Sequence, residues 1–161
     1  MLSDTLRDMR YWLMKSEPDV FSIDDLAQKK TSLWDGVRNY QARNFMTQEM
    51  KEGDQVLFYH SNAEPPGVAG VAVVAGGPEP DPSQFDKKSE YFDPKASREK
   101  PIWHCVRVGF KAKFPRLVPL DELRTAAELK DMLVIKKGQR LSIQPVTKKE
   151  FECILQMSKH H

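Results

Sequence analysis

The chain has 161 residues, 40% of them hydrophobic and 30% charged, and a formal net charge of +2. One domain with a real core is expected; no apolar run approaches the roughly 20 residues of a membrane-spanning helix, and the N-terminus lacks a signal-peptide core. So small a charge excess does not suit a protein that coats nucleic acid non-specifically, and any anionic partner is expected at a localised site.

Residues 1–9 are polar, with mixed charge, and read as a short extension. Residues 11–15 form a predicted strand that is apolar on both faces, hence inside the sheet and covered twice. Ser22, with Asp25 three residues on, predicts a capped short helix over 23–28. A brief strand over 32–35 ends at a Gly36 turn, and Asn39 caps a predicted helix over 40–50 that Gly53 closes. The apolar run 55–60 is a central strand. Pro65-Pro66-Gly67 forces a turn, and 68–74 returns as a second strand. There the small Ala69, Gly70 and Ala72 leave room for close approach by a helix or a ligand.

Residues 76–101 are predicted as a long irregular loop, a common place for function. Residues 102–110 alternate as a strand. Segments 119–124 and 126–133 read as short helices. Residues 141–146 form a strand whose Pro145 sets it at an edge or at its own end. Thr147 and Glu150 have capping-box spacing for a last helix with Phe151, Ile154 and Leu155 on one face. Residues 158–161 are a tail. Strands outnumber long helices and no βαβ rhythm appears, so the expected class is α+β, a strongly curved mixed sheet flanked by short helices.

The segment 34–44, Trp-Asp-Gly-Val-Arg-Asn-Tyr-Gln-Ala-Arg-Asn, is the part that core packing explains least. Most Trp residues seal cores. Trp34, however, is followed at once by an Asp35-Gly36 turn, and a flat ring beside amide and guanidinium donors suits a nucleobase on its phosphate chain. Arg38, Asn39, Tyr40 and Arg43 read either as a solvated helix face or as groups that clamp a backbone and touch base or sugar. Arg38 stands at a helix start, where the dipole disfavours a cation, so a functional or tertiary role is expected for it.

Ser61 and Asn62 end the central strand, as ordinary turn residues or as paired donors and acceptors for a base edge. Lys15 and Ser16 end the first strand, as surface groups or as phosphate contacts. A stacking site needs a second wall, and Tyr91 in the long loop is the candidate. His104 and Cys105 are neighbours on a predicted strand and so point to opposite faces, which rules out a shared metal ion. Cys105 and Cys153 suit neither a disulfide framework nor a zinc site and are read as two buried thiols of a reducing, cytoplasmic protein. No nucleotide or hydrolase motif is present, and no cofactor is expected.

Four ordered motifs resemble one family: Tyr11-Trp12-Leu13-Met14-Lys15-Ser16-Glu17-Pro18, the 34–44 segment, Leu57-Phe58-Tyr59-His60-Ser61-Asn62 answered by Pro66-Gly67-Val68-Ala69-Gly70-Val71-Ala72, and Arg140-Leu141-Ser142-Ile143-Gln144-Pro145-Val146. Over residues 10–157 the chain is similar to the EVE domain of the PUA-like fold group, closest to the thymocyte nuclear protein family and its bacterial counterparts. The resemblance implies a PUA-like pseudo-barrel and a non-enzymatic reader of a modified cytosine or adenine in DNA or RNA. It aligns Trp34 with the first cage Trp of the related YTH domain, as a stacking wall for a flipped-out base. Asn62, Ser61 and the backbone near Asp35 would read the base edge, and Lys15, Ser16, Arg38 and Arg43 would hold phosphates. The rival is an RNA-processing or small-molecule enzyme on the same scaffold, as ASCH-type relatives allow. A module that binds protein alone is the third reading.

Overall fold

The structure, a computed structural model, describes residues 8–160. Most of the expected extension, residues 1–7, and His161 of the expected tail lie outside the described residues. Among the described residues six strands form one mixed sheet: β1 Tyr11–Ser16, β2 Thr31–Leu33, β3 Gln55–His60, β4 Gly67–Pro80, β5 His104–Pro119 and β6 Ile143–Val146. Their order is β2-β5-β4-β3-β1-β6, with β1 parallel to β3 and the other pairs antiparallel. Four register shifts interrupt the long β4–β5 ladder. Each shift bends the strands locally and adds twist, which curves the sheet.

Both faces of the sheet carry a core. On the first, Trp12, Met14, Val56 and Phe58 meet Ile23 and Leu26 of α1 (Ile23–Lys29) and Ala42 of α2 (Tyr40–Asn44). On the second, Leu13, Leu57 and Tyr59 meet Leu123 of α3 (Leu120–Leu123) and Phe151 and Ile154 of α4 (Lys148–Lys159). The twice-covered β1 is thus as its sequence implied. Both capping boxes form, Ser22 with Asp25 and Thr147 with Glu150. β6 is an edge strand, which accommodates Pro145.

Other boundaries moved. The helix expected over 40–50 is α-helical only to Asn44; Phe45–Glu49 is a wider π turn, closed by Met50 N–H donating to the Phe45 carbonyl (2.8 Å). Ala42, Met46 and Met50 recur every four residues and are all buried. Positions four and eight residues on share a face in a regular α-helix as well, so this spacing is compatible with either turn. β4 and β5 are longer than the sequence indicated. Residues 76–80 are not loop: Glu79 pairs with Cys105 and Pro80 with His104 across a bulge at Gly77, whose φ is +100°. The glycines marked a bulge, not the end of the strand. The helix expected over 126–133 is two separate 3₁₀ turns, Ala127–Leu129 and Leu133–Ile135. The close approach at Gly70 is made by strand and helix together: a Cβ there would lie 2.4 Å from the Ala112 carbonyl and 2.9 Å from Ile23.

Candidate nucleic-acid interface

Parallel pairing brings the ends of β1 and β3 out together, Ser16 beside His60, and the Ser61 N–H donates to the Ser16 carbonyl (2.9 Å). On the first face an aromatic row leads inward from this end. His60 meets Phe58 edge-on at 5.7 Å, and Phe58 meets Trp34 edge-on at 5.5 Å. Trp34 follows β2, held by its N–H to the Val106 carbonyl (2.9 Å), and is only 7% exposed. Its ring is therefore a core element first, with little surface left for a ligand. Asn62 is exposed and left-handed (φ +48°), and among the described residues its amide has no hydrogen-bond partner.

Tyr91 lies over the backbone of Gly36: a Cβ there would come within 2.9 Å of its ring. Burial first, then the neighbouring Glu90 through its charge and a hydrogen bond, and last the charges of Glu17 and Asp35 raise the pKa of the Tyr91 phenol. Trp34, Asp35, Tyr91 and the ends of β1 and β3 therefore share one neighbourhood. Burial raises the Asp35 carboxyl too, and the nearby Asp81 carboxylate adds to it.

Arg38 departs from its expected role. Its guanidinium donates to the Tyr91 carbonyl (3.0 and 2.6 Å), Asp81 (3.1 Å), Ser83 (3.0 Å) and the Val37 carbonyl (2.9 Å). All five N–H groups of the guanidinium are engaged within the protein, so Arg38 clamps the long loop and does not hold a phosphate. Ser16 is also corrected, because its hydroxyl donates to the Phe21 carbonyl (2.6 Å). Lys15 points to the opposite face, as the residue next to Ser16 on a strand must. Its ammonium lies 5.8 Å from the Tyr59 ring centre and 3.4 Å from the Gln139 carbonyl, and burial lowers its pKa. Lys15 cannot serve the Trp34 site. Asn39 caps α2 by accepting from the Ala42 N–H (2.9 Å). Tyr40 and Arg43 stand apart from Trp34, on Trp103.

The sequence reading missed Asp81 and Gln84. Asp81, 1% exposed, accepts from Gly36 N–H (2.8 Å), Arg38, and the N–H and hydroxyl of Ser83. Burial alone would raise its carboxyl; the bonds from Ser83, Gly36 and Arg38 outweigh burial and hold its pKa low. Asp81-Pro82-Ser83 is itself a helix-start signature, Asp as N-cap with Pro inside, and could have been read. Gln84 is fully buried and uses both ends of its amide. It donates to the carbonyls of Asp81 (2.8 Å) and Trp103 (2.7 Å) and accepts from the N–H groups of Ile102 (3.0 Å) and Trp103 (2.9 Å). Gln84→Ala is expected to cost about 2–4 kcal/mol, because several backbone groups lose their partner at once. Chemical denaturation measures this.

Cys105 is buried, its thiol pushed up to about 12 chiefly by burial. Cys153 is only half-buried, which corrects the expectation of two buried thiols. Among the described residues no three His, Cys, Asp or Glu side chains gather as a metal site, and no helix is long and apolar enough to cross a membrane.

The family model of the EVE domain matches residues 10–157. The chain belongs to the EVE domain family. Human thymocyte nuclear protein 1 is 43% identical over 166 residues, which cover 91% of this chain and 73% of the human protein. The structure of that human protein in complex with 5-methylcytosine-containing DNA has a TM-score of 0.86 and 42% identity, covering 94% of this chain and 99% of that one. A hypothetical protein from Leishmania major reaches a TM-score of 0.90 at 52% identity, covering 94% and 96%. The α+β, PUA-like class expected for an EVE domain is thus shown. An ASCH protein of Zymomonas mobilis, 9% identical with a TM-score of 0.54, shares the fold alone. The expected cytoplasmic location is overturned: the close relatives, from human to zebrafish, are named nuclear proteins.

Proposed function

We propose that this EVE domain binds DNA and reads a modified cytosine, 5-methylcytosine in the first instance. The observation that carries the reading is the human relative with 5-methylcytosine-containing DNA, matched over 94% of this chain. The geometry supports it. An aromatic row, Trp34, Phe58 and His60, lies beside exposed Asn62 and half-buried Ser61, with Tyr91 and Asp35 near by. Phe58 is fully buried and backs the row from inside, so the exposed edge of Trp34 and the ring of Tyr91 are what a base and its methyl group can meet, and the Asn62 amide and Ser61 hydroxyl suit its polar edge. One base stack supplies roughly 1–3 kcal/mol, while extrusion from a duplex costs a few kcal/mol. Edge hydrogen bonds must therefore add to the stack.

Binding without turnover is part of the proposal. Burial lowers the His60 pKa, and its Nε2 already accepts from the Ile23 N–H (3.1 Å). The Cys105 thiol, at about 12, is no nucleophile at neutral pH. Fluorescence anisotropy tests the reading with matched oligonucleotides of DNA and RNA carrying cytosine, 5-methylcytosine, 5-hydroxymethylcytosine, adenine or N6-methyladenine at fixed salt. Tighter binding to DNA with a modified cytosine is expected. Equal affinity for all of them, or conversion of an oligonucleotide to product, would defeat it.

A further inference from the structure

Outside the Trp34 neighbourhood, Tyr40 presents an aromatic ring to solvent. It is 59% exposed, although it sits at the start of a helix with a buried core position two residues on. Its ring stacks on Trp103 with centroids 4.8 Å apart and planes 27° apart. Trp103, 5% exposed, is fixed in turn: its indole N–H donates to Asp93 (2.9 Å) and its backbone is held by Gln84. Arg43 lies 4.7 Å from the Tyr40 ring centre and 5.7 Å from that of Trp103. These three lengths, 4.8, 4.7 and 5.7 Å, close a compact triangle. A guanidinium on the outer face of Tyr40 would lie almost twice as far from Trp103. Arg43 therefore flanks the two rings, and the outer face of Tyr40 is left uncovered.

Arg43 is held in that place. It donates to the Ile102 carbonyl (3.0 Å) and to the Asn44 side chain (3.2 and 2.9 Å). The result is a rigid aromatic plate that faces solvent, with a cation along its border. Ordering cost is already met within the protein, which is the condition under which a stacking contact yields most of its energy as affinity. Trp34, by contrast, has little surface to offer. The plate also connects to the proposed reading site: Arg38 lies 5.2 Å from the Trp103 ring centre and 5.5 Å from that of Tyr91. Tyr40, Trp103, Arg38 and Tyr91 thus form one stacked row from the plate to the Gly36 turn.

We propose that Tyr40 is a second base-stacking platform, which takes an unpaired nucleobase of the bound strand other than the modified one, while Arg43 faces the adjoining backbone. This rests on the nucleic-acid reading above and deepens it: it separates grip from recognition. Stacking on an aromatic plate tolerates any base, because every base has a π face. Tyr40 therefore sets affinity, and the Trp34 neighbourhood sets preference.

The test uses the full chain and single-stranded DNA oligonucleotides with one cytosine or one 5-methylcytosine. Tyr40→Leu keeps Trp103 covered, so that the underlying indole cannot take over as the plate. It is expected to weaken binding of both oligonucleotides by about tenfold, the worth of one stack, with the ratio of their affinities unchanged. Tyr40→Phe is expected to bind like the wild type, since the ring and not the hydroxyl does the stacking. Thermal melts confirm that both variants fold. Wild-type affinity in Tyr40→Leu overturns the proposal, as does equal loss in Tyr40→Phe or a fall in the affinity ratio. If the wild type binds but shows no preference for 5-methylcytosine, the reading of the modified base fails while the platform still stands on the Tyr40→Leu loss. If the wild type binds neither oligonucleotide, both fail.

Discussion

Replacing Trp34 by alanine is expected to cost about 3–5 kcal/mol of folding stability, because an indole is removed from a buried cluster and leaves a cavity. The ring is 7% exposed and meets Phe58 edge-on inside the first core. A domain of this size has a total of roughly 5–15 kcal/mol, so Trp34→Ala is expected to lower the melting temperature sharply. Loss of DNA binding in that variant would report folding and not recognition. Trp34→Phe separates the two, since it keeps an aromatic edge against Phe58 at a smaller cost. If Trp34 also serves the base, Trp34→Phe folds yet discriminates less between cytosine and 5-methylcytosine. Thermal denaturation and paired titrations of the two variants check both parts.

The other large effect is expected at Arg38. Its contact with Asp81 is nearly dry on the Asp side, with side-chain exposures of 21% and 2%. Removing one partner of a buried pair typically costs about 3–5 kcal/mol, because the remaining charge is left under-compensated. Arg38→Ala also frees the Tyr91 carbonyl and unfastens the loop from the Gly36 turn. Two measurements follow: denaturation at neutral pH, and limited proteolysis within 86–100, which should quicken.

The pH dependence has a definite sign. The Asp81 carboxylate is held below its ordinary value, against burial, by bonds from Ser83, Gly36 and Arg38. Its contribution is complete above the unfolded carboxylate value of about 3.9 and is lost as pH falls through the lower folded value. Arg38→Ala removes one of those bonds and raises the folded value. The stability gap between wild type and variant should therefore be largest near neutrality and shrink on acidification. A gap independent of pH would mean that Arg38 acts through the Tyr91 carbonyl alone.

What could be read in the sequence was local. The apolarity of 11–15 on both sides gave the twice-covered strand, and Ser22–Asp25 and Thr147–Glu150 gave two helix starts, since caps are written within four residues. Arg38, a cation at the wrong end of a helix, signalled a tertiary role, which it has. What stayed hidden depends on long-range contacts. The Arg38–Asp81 bond spans 43 residues and the Gly36–Asp81 bond spans 45. No pattern in 76–101 showed that this loop is tied down by Asp81 and Gln84. Lys15 and Ser16 were a different kind of miss. Strand alternation alone puts adjacent residues on opposite faces, so their separation was readable, and grouping them as one phosphate site ignored it. The π turn over Phe45–Glu49 lay behind a four-residue apolar spacing that an α-helix also tolerates over short lengths.

The central claim is that a methylated cytosine is seated among the rings near Trp34. It is tested most directly by NMR on DNA whose single 5-methylcytosine carries a ¹³C-labelled methyl group. On binding, the methyl resonance should move upfield, because the ring currents of Trp34 or Tyr91 act on it, and Trp34→Phe should change that shift. A methyl resonance that stays at its free-DNA position while the protein is bound would contradict the account.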